Sequence, residues 1–226
     1  MLSHEEVMNM RSMVTVSKMD ENAVSEVSKL FAEFDSTEIP GLIGLQRRQL
    51  FVHDGIQIHL YDFSENPDPS AMEKVKADPR MSRLATDLNP FVTPYEPETW
   101  TSPADSAAFR FHDWEGEPAE NRNRTHTTVT ITRMDQAAIP AVTNIFREFE
   151  SAGTSRPTGI LRRQLFAFKD LCIHVQEHTG SGGAEIAQKA ASDIWSGKVV
   201  PALPELAPQE PSTDGHASRF YGWEAA

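Results

Sequence analysis

The chain is predicted to be an α+β protein built from two tandem ferredoxin-like (βαββαβ) modules, on three observations. Arg47-Arg48-Gln49-Leu50-Phe51 returns as Arg162-Arg163-Gln164-Leu165-Phe166, an offset of 115 residues (162 − 47). Met19-Asp20 and Met134-Asp135 share that offset, as do Phe31, Glu33 and Phe34 with Phe146, Glu148 and Phe149, and His59 with His174. Within a repeat, apolar residues switch between period two and helical spacing in the order of a split βαβ unit. Such a repeat governs the whole fold reading, because one supersecondary unit is then used twice.

In the first copy, Met13 to Lys18 alternates as a strand, with Val14 and Val16 on one face and Thr15 and Ser17 on the other. Asn22 to Phe34 places Val24, Val27, Leu30, Phe31 and Phe34 at helical spacing. Leu45 to His53 and Ile56 to Phe63 read as strands joined by Asp54-Gly55, a strong two-residue hairpin signal because type I′ turns need positive φ at both central positions. Ser70 to Leu84 is a second helical stretch interrupted at Pro79, and Ala107 to Trp114 closes the copy as its fourth strand. Near the end of each copy the offset shortens to 109 (223 − 114), pairing Arg110-Phe111 with Arg219-Phe220 and Trp114-Glu115 with Trp223-Glu224. The second copy therefore carries a shorter loop. The modules are assigned to residues 1–115 and 127–226, with polar, aperiodic 116–126 as linker. Helices cover one sheet face of such a module. The two uncovered faces are expected to pack sheet to sheet as an intramolecular pseudo-dimeric α+β barrel enclosing one pocket.

Composition narrows the function classes. With 226 residues, 39% hydrophobic and 24% charged, the chain is an ordinary globular protein. A net charge of −12 repels nucleic acid and anionic lipid, so neither is an expected partner, and no apolar stretch approaches a membrane span. One cysteine, Cys172, and a polar N-terminus without an apolar signal core point to the cytoplasm. The histidines show no metal-ligand spacing with cysteine or carboxylates, and Gly180-Ser181-Gly182-Gly183 lacks a phosphate-binding pattern and reads as a loop. Neither a metal nor another cofactor is expected.

If Asp54-Gly55 is the turn, cross-strand partners pair Phe51 with Ile58, Leu50 with His59 and Arg48 with Tyr61. Phe51, Ile56, Ile58 and Leu60 then share one face, expected against the helices. Arg48, Leu50, Gln57, His59 and Tyr61 share the other, expected between the sheets. Lys169-Asp170 plays the turn's part in the second copy, where Leu165 lies opposite His174 and Arg163 shares the histidine's face. Two Arg/His pairs would thus project into one volume.

These segments resemble the aromatic polyketide cyclases of type II polyketide pathways, the polyketide synthesis cyclase family. The likeness rests on VSKMDENAVSEVSKLFAEFDSTEIPGLIGLQRRQLFVHDGIQIHLYDF, on FVTPYEPETW and on AAFRFHDWE. They carry a Met-Asp after strand one, a Thr-Glu turn after helix one, an Arg-Arg strand, a strand-three His, a Thr-Pro-Tyr segment and a closing Tyr/His-x-Trp strand. The resemblance implies ring closure and aromatisation of a poly-β-ketone by aldol chemistry without a cofactor. It also implies a polyketide partner, free or bound to acyl carrier protein, and other type II synthase components. Its catalytic residues fall on Asp35, Arg48 and His59. Tyr61, Tyr95, Arg110, Trp114, Arg163 and His174 are the expected substrate contacts. Family members can place a His before the Asp, where this chain has Phe34. The second copy departs further, with Glu150 at the Asp position, Ser155-Arg156-Pro157 after it, and no Thr-Pro-Tyr equivalent in KVVPALPEL. The first copy is therefore read as the more complete site.

Cyclisation needs a base for a methylene flanked by carbonyls and a donor for the enolate oxygen. A neutral imidazole with a pKa of about 6.5 suits the first task and a guanidinium the second, which points to His59 and Arg48. Blander roles stand beside these. His59 can be a hydrogen-bonded structural residue, Arg47 and Arg48 can form sheet-surface ion pairs with Asp62 or Glu residues, the preferred reading for Arg47, and Asp35 can cap the end of helix one or order the following turn. Tyr95, Trp100, Trp114 and Trp223 can stack on a planar substrate or fill the core. A cofactor-free oxygenase of aromatic polyketides and a non-catalytic polyketide-binding accessory are the competing functions. An exposed sheet edge would also allow homodimers.

Overall fold

A computed structural model describes residues 11–64, 69–116, 125–152, 160–179, 194–199 and 215–225. The chain divides into two compact units, the first comprising residues up to Ala107 together with Ser218–Ala226, the second Ala108–Ala217.

The first unit opens with β1 (Arg11–Met19) and a 3-10 turn, Glu21–Ala23, capped by Asp20, whose carboxylate accepts the Asn22 N–H. Helix α1 (Val24–Asp35) follows, burying Val27, Phe31, Phe34 and Asp35 along one stripe. The Met-Asp motif thereby finds a structural cause: Met19 enters the core under α1 and Asp20 caps the turn into it. Thr37 is likewise structural. Its hydroxyl bonds the Phe34 carbonyl and accepts the Ile39 N–H, leading into the short α2 (Ile39–Leu42).

Strands β2 (Leu45–His53) and β3 (Ile56–Phe63) have the expected bounds and register, with Arg48 opposite Tyr61 and Leu50 opposite His59. Asp54 and Gly55 have φ of 50° and 70°, as the turn requires. The second helical stretch is broken at Pro79, giving α3 (Pro69–Lys76) and α4 (Pro79–Leu88), the latter capped by Asp78. The Thr-Pro-Tyr segment contributes a short edge strand, β4 (Val92–Pro94), along β1.

The second unit contains β5 (Phe109–Glu115), β6 (Thr125–Arg133), a 3-10 turn capped by Asp135, α5 (Ile139–Ser151), β7 (Ile160–Phe168) and β8 (Leu171–Thr179). The last strand, β9 (Gly215–Glu224), begins beside β6 and continues beside β2. Of the expected linker, residues 117–124 lie outside the described residues, while Thr125 and His126 already belong to β6. The glycine loop at 180–183 and Ser155-Arg156-Pro157 also lie outside them.

Two expectations need correction. Strand β5 does not close its own repeat. It pairs with β7, setting Trp114 opposite Arg163, while β9 pairs with β2, setting Trp223 opposite Arg48. The closing strands are exchanged between repeats. Because the two strands carry equivalent residues at an offset of 109, pairing within a repeat and pairing across repeats have the same sequence signature. The second correction concerns the sheet face. Leu50 packs with Val27 and Phe31 of α1, so Arg48, Leu50, His59 and Tyr61 look towards the helix, and Phe51, Ile58 and Leu60 look away from it. Each Arg/His pair is thus enclosed by its own unit's helix rather than projecting from the opposite face. Alternation could not choose, since β2 and β3 are buried on both faces.

Candidate active site

On the face away from α1, Arg47 Nε donates to Asp62 Oδ2 at 2.8 Å, with Ser12 on the other carboxylate oxygen. The second unit repeats the pair as Arg162 and Glu177. These arginines hold the sheet together and are separate from the site.

On the helix face of the first unit, Arg48 lies at the centre of a buried polar group. Its Nε lies 3.0 Å from both Asp35 oxygens, and its Nη1 donates to His59 Nε2 at 2.9 Å. Aromatic faces surround the guanidinium, with Phe31, Tyr61 and Phe34 centroids at 5.0, 5.3 and 5.7 Å. His59 stacks on Tyr61 at 3.6 Å and meets Phe31 edge-on at 5.1 Å. Tyr221, delivered by β9, donates its hydroxyl to Asp35 Oδ2 at 2.8 Å. Asp35 is the last residue of α1, but its carboxylate is spent on Arg48 and Tyr221 rather than on a helix cap.

Burial sets the proton affinities here. It raises the Asp35 pKa, against the lowering effects of Arg48 and of the Tyr221 hydrogen bond. It pushes His59 well below its ordinary value, with the Arg48 charge adding to the effect. Tyr221 is raised, first by burial and then by its bond to Asp35, so its hydroxyl remains a donor. Because a guanidinium can only donate, His59 must accept at Nε2 and carry its proton on Nδ1. The lone pair expected to serve as base is occupied by Arg48.

In the second unit the same positions hold Glu150, Arg163 and His174, with different connections. Arg163 Nη1 donates to Glu150 Oε1 at 3.0 Å, and its guanidinium faces Phe149, Phe146 and Trp114. His112, carried in by β5, places Nε2 at 3.0 Å from both Glu150 oxygens. Among the described residues, His174 Nε2 and two Arg163 nitrogens, Nε and Nη2, have no hydrogen-bond partner. Gln176 stands where the first unit has Tyr61, so no ring stacks His174 against its arginine. A cleft of about 400 Å³ opens beside this group, lined by Phe111, His112, Trp114, Arg147 and Glu150 among others.

The structure therefore brings Asp35, Arg48, His59 and Tyr61 together, and joins Arg163 and His174 to the equivalent group of the second unit. Tyr95 lies instead near Lys18, whose Nζ is 5.4 Å from its ring, at the β4 edge. Strand exchange carries Arg110 and Trp114 to the second unit, where Arg110 pairs with Asp113 at 2.9 Å and Trp114 faces Arg163. The residues missed by sequence reasoning are Tyr221, His112 and the rings Phe31 and Phe34. Tyr221 and His112 did carry a motif, the closing Tyr/His-x-Trp of Tyr221-Gly222-Trp223 and His112-Asp113-Trp114 at an offset of 109, but it did not say which repeat each would serve.

A model of one protein family, described as polyketide synthesis cyclase, matches residues 11–115 and again 126–224. The chain belongs to the polyketide synthesis cyclase family. Among relatives of this cyclase-family chain, the uncharacterized protein SCO5314 of Streptomyces coelicolor is 37% identical over 111 residues, covering 49% of this chain and 99% of its own length. Tetracenomycin F2 cyclase of Streptomyces glaucescens is 31% identical over 102 residues, covering 44% of this chain and 89% of its own. These relatives match one module where this cyclase-family chain has two. The solved structure of an anthrone oxidase-like protein shares the fold alone, with a TM-score of 0.55 at 10% identity over 96% of this chain and 93% of its own. Among the described residues no helix is long and apolar enough to cross a membrane, and no group of three or more His, Cys, Asp or Glu residues is placed to hold a metal.

Proposed function

We propose that the chain closes and aromatises a ring of a poly-β-ketone in type II aromatic polyketide biosynthesis, with Asp35 and Tyr221 handling the protons. The observation that carries this reading is the Tyr221–Asp35–Arg48–His59 chain of contacts in a member of the polyketide synthesis cyclase family. Asp35 is a buried carboxylate with a raised pKa, suited to take a proton from a methylene between two carbonyls. The enolate carbon attacks a second carbonyl, and the alkoxide so formed takes a proton from the Tyr221 hydroxyl. Tyr221 recovers that proton from Asp35 through their hydrogen bond, and loss of water completes the ring. No proton is gained or lost overall. Arg48 holds the carboxylate, and His59 holds Arg48 as a positioning residue rather than as the base. Tyr61 and Tyr221, both only partly buried, supply aromatic surface for a flat, oxygen-rich chain.

The test is assay with a reconstituted type II synthase supplying the chain, reading which ring closes while dioxygen is monitored. Ring closure without dioxygen uptake is expected. A quinone-forming product with stoichiometric dioxygen consumption would make the chain an oxygenase. Equal product profiles with and without the chain would leave only an accessory role.

A further inference from the structure

The second unit holds its own ionisable group, which differs from the first in what meets the carboxylate. Glu150 is one methylene longer than Asp35, and it receives Arg163 on one oxygen and His112 on both. A carboxylate already accepting an Arg163 N–H faces Nε2 as an acceptor, so Nε2 carries the His112 proton and the lone pair stays on Nδ1. Here the imidazole is oriented by a carboxylate through Nε2, which leaves Nδ1 as its unprotonated nitrogen, whereas in the first unit Arg48 occupies the histidine's lone pair. His112 and Glu150 also line a cleft of about 400 Å³. That volume falls within the ~300–1,000 Å³ of sites that hold small organic ligands. Phe111 and Trp114 offer ring surface in it, and the exposed Arg147 a guanidinium.

We infer that His112 and Glu150 form a second acid–base site in the second unit, whose cleft binds a planar, oxygen-rich aromatic or poly-β-keto ligand. The ligand class rests on the polyketide reading; the site itself rests on the His112–Glu150 contact and the cleft. In the step inferred, His112 Nδ1 takes a proton from a carbon flanked by carbonyls, giving imidazolium and enolate. Glu150 holds the imidazolium and Arg147 faces the enolate oxygen. The proton returns to carbon, or to a hydroxyl that departs as water. Atoms and charge balance without a co-reactant.

Phloroglucinol, whose ring carbons exchange hydrogen through keto tautomers, is a suitable probe. Exchange of its ring protons in deuterium oxide is followed by proton NMR with the full-length chain. In an Asp35→Asn background, which removes the first unit's carboxylate, exchange faster than buffer is expected to persist. Adding His112→Gln should slow it about 100-fold, the scale of a positioned acid–base group. Adding Arg147→Ala should instead raise the probe concentration for half-saturation. No exchange above buffer in the Asp35→Asn chain, or an unchanged rate with His112→Gln, would overturn the inference. If His112→Gln loses its circular dichroism, Arg147→Ala decides, since that side chain is exposed: unchanged half-saturation overturns the site and a raised value supports it. A chain that closes no poly-β-ketone ring yet shows His112-dependent exchange refutes the proposed function and keeps this site. Ring closure without His112-dependent exchange refutes this site alone.

Discussion

Tyr221 and Asp35 stand 186 positions apart in the chain, yet the tyrosine hydroxyl lies 2.8 Å from the carboxylate it donates to. One belongs to the second repeat and the other to the first. His112 and Glu150 make the reciprocal contact in the second unit, so each ionisable group is completed by the closing strand of the other repeat.

Replacing Tyr221 by Phe keeps the ring and removes the hydroxyl. Deleting a hydrogen bond to a charged acceptor is expected to cost about 1.5–3 kcal/mol, nearer the lower figure because the ring is only partly buried. Turnover should fall about 100-fold with little change in KM. Steady-state kinetics and urea unfolding check both, and a raised KM with unchanged kcat would assign Tyr221 to binding.

Arg48→Met would leave the Asp35 carboxylate buried without its cation, at a cost of about 3–5 kcal/mol. Adding Asp35→Asn to that variant should restore much of the loss, because the stranded charge is then gone. A double-mutant cycle on urea midpoints measures the coupling. Additive losses would mean that the two residues do not act as a pair.

His59 gives a pH signature. Its folded pKa lies well below the unfolded value of 6.5, so below that pH the unfolded chain binds a proton that the folded chain refuses. Stability from this residue is therefore present above about pH 6.5 and lost as pH falls towards the folded pKa. His174 acts with the same sign. Asp35, with a raised folded pKa, has the opposite sign, favouring the folded state at low pH and losing that advantage as pH rises through the folded value. His59→Gln, whose amide oxygen can still accept from Arg48, should flatten the dependence of the urea midpoint between about pH 7 and pH 5. An unchanged slope would mean that His59 is not held neutral.

Much of the fold was legible in the sequence and part of the site was not. The hairpin register followed from Asp54-Gly55, whose positive φ at both positions is that of a type I′ turn, and it holds from Arg47 to His53 before a bulge shifts the pairing at Leu45. The face exposed to α1 did not follow, because Leu50 and Val52 on one side are as apolar as Phe51 and Ile58 on the other. Asp35, Arg48 and His59 could be grouped from family likeness. Tyr221 could not, since its partner lies in the other repeat and the two closing strands are interchangeable by sequence.

Strand exchange predicts what a single repeat does alone. Residues 11–115 without β9 would leave the β2 edge unpaired, and β5 without its β7 partner. The fragment should dimerise by pairing β5 of one copy with β2 of another, which sedimentation velocity would register. A stable monomeric fragment would contradict the exchange.

The most direct test of the proton-handling role is the rate of ring closure by Asp35→Asn under dioxygen-free conditions, with thermal melting as a control for folding. Wild type is expected to yield the ring-closed product, and the folded variant to do so about 100-fold more slowly. A folded Asp35→Asn chain that closes the ring at the wild-type rate would contradict it.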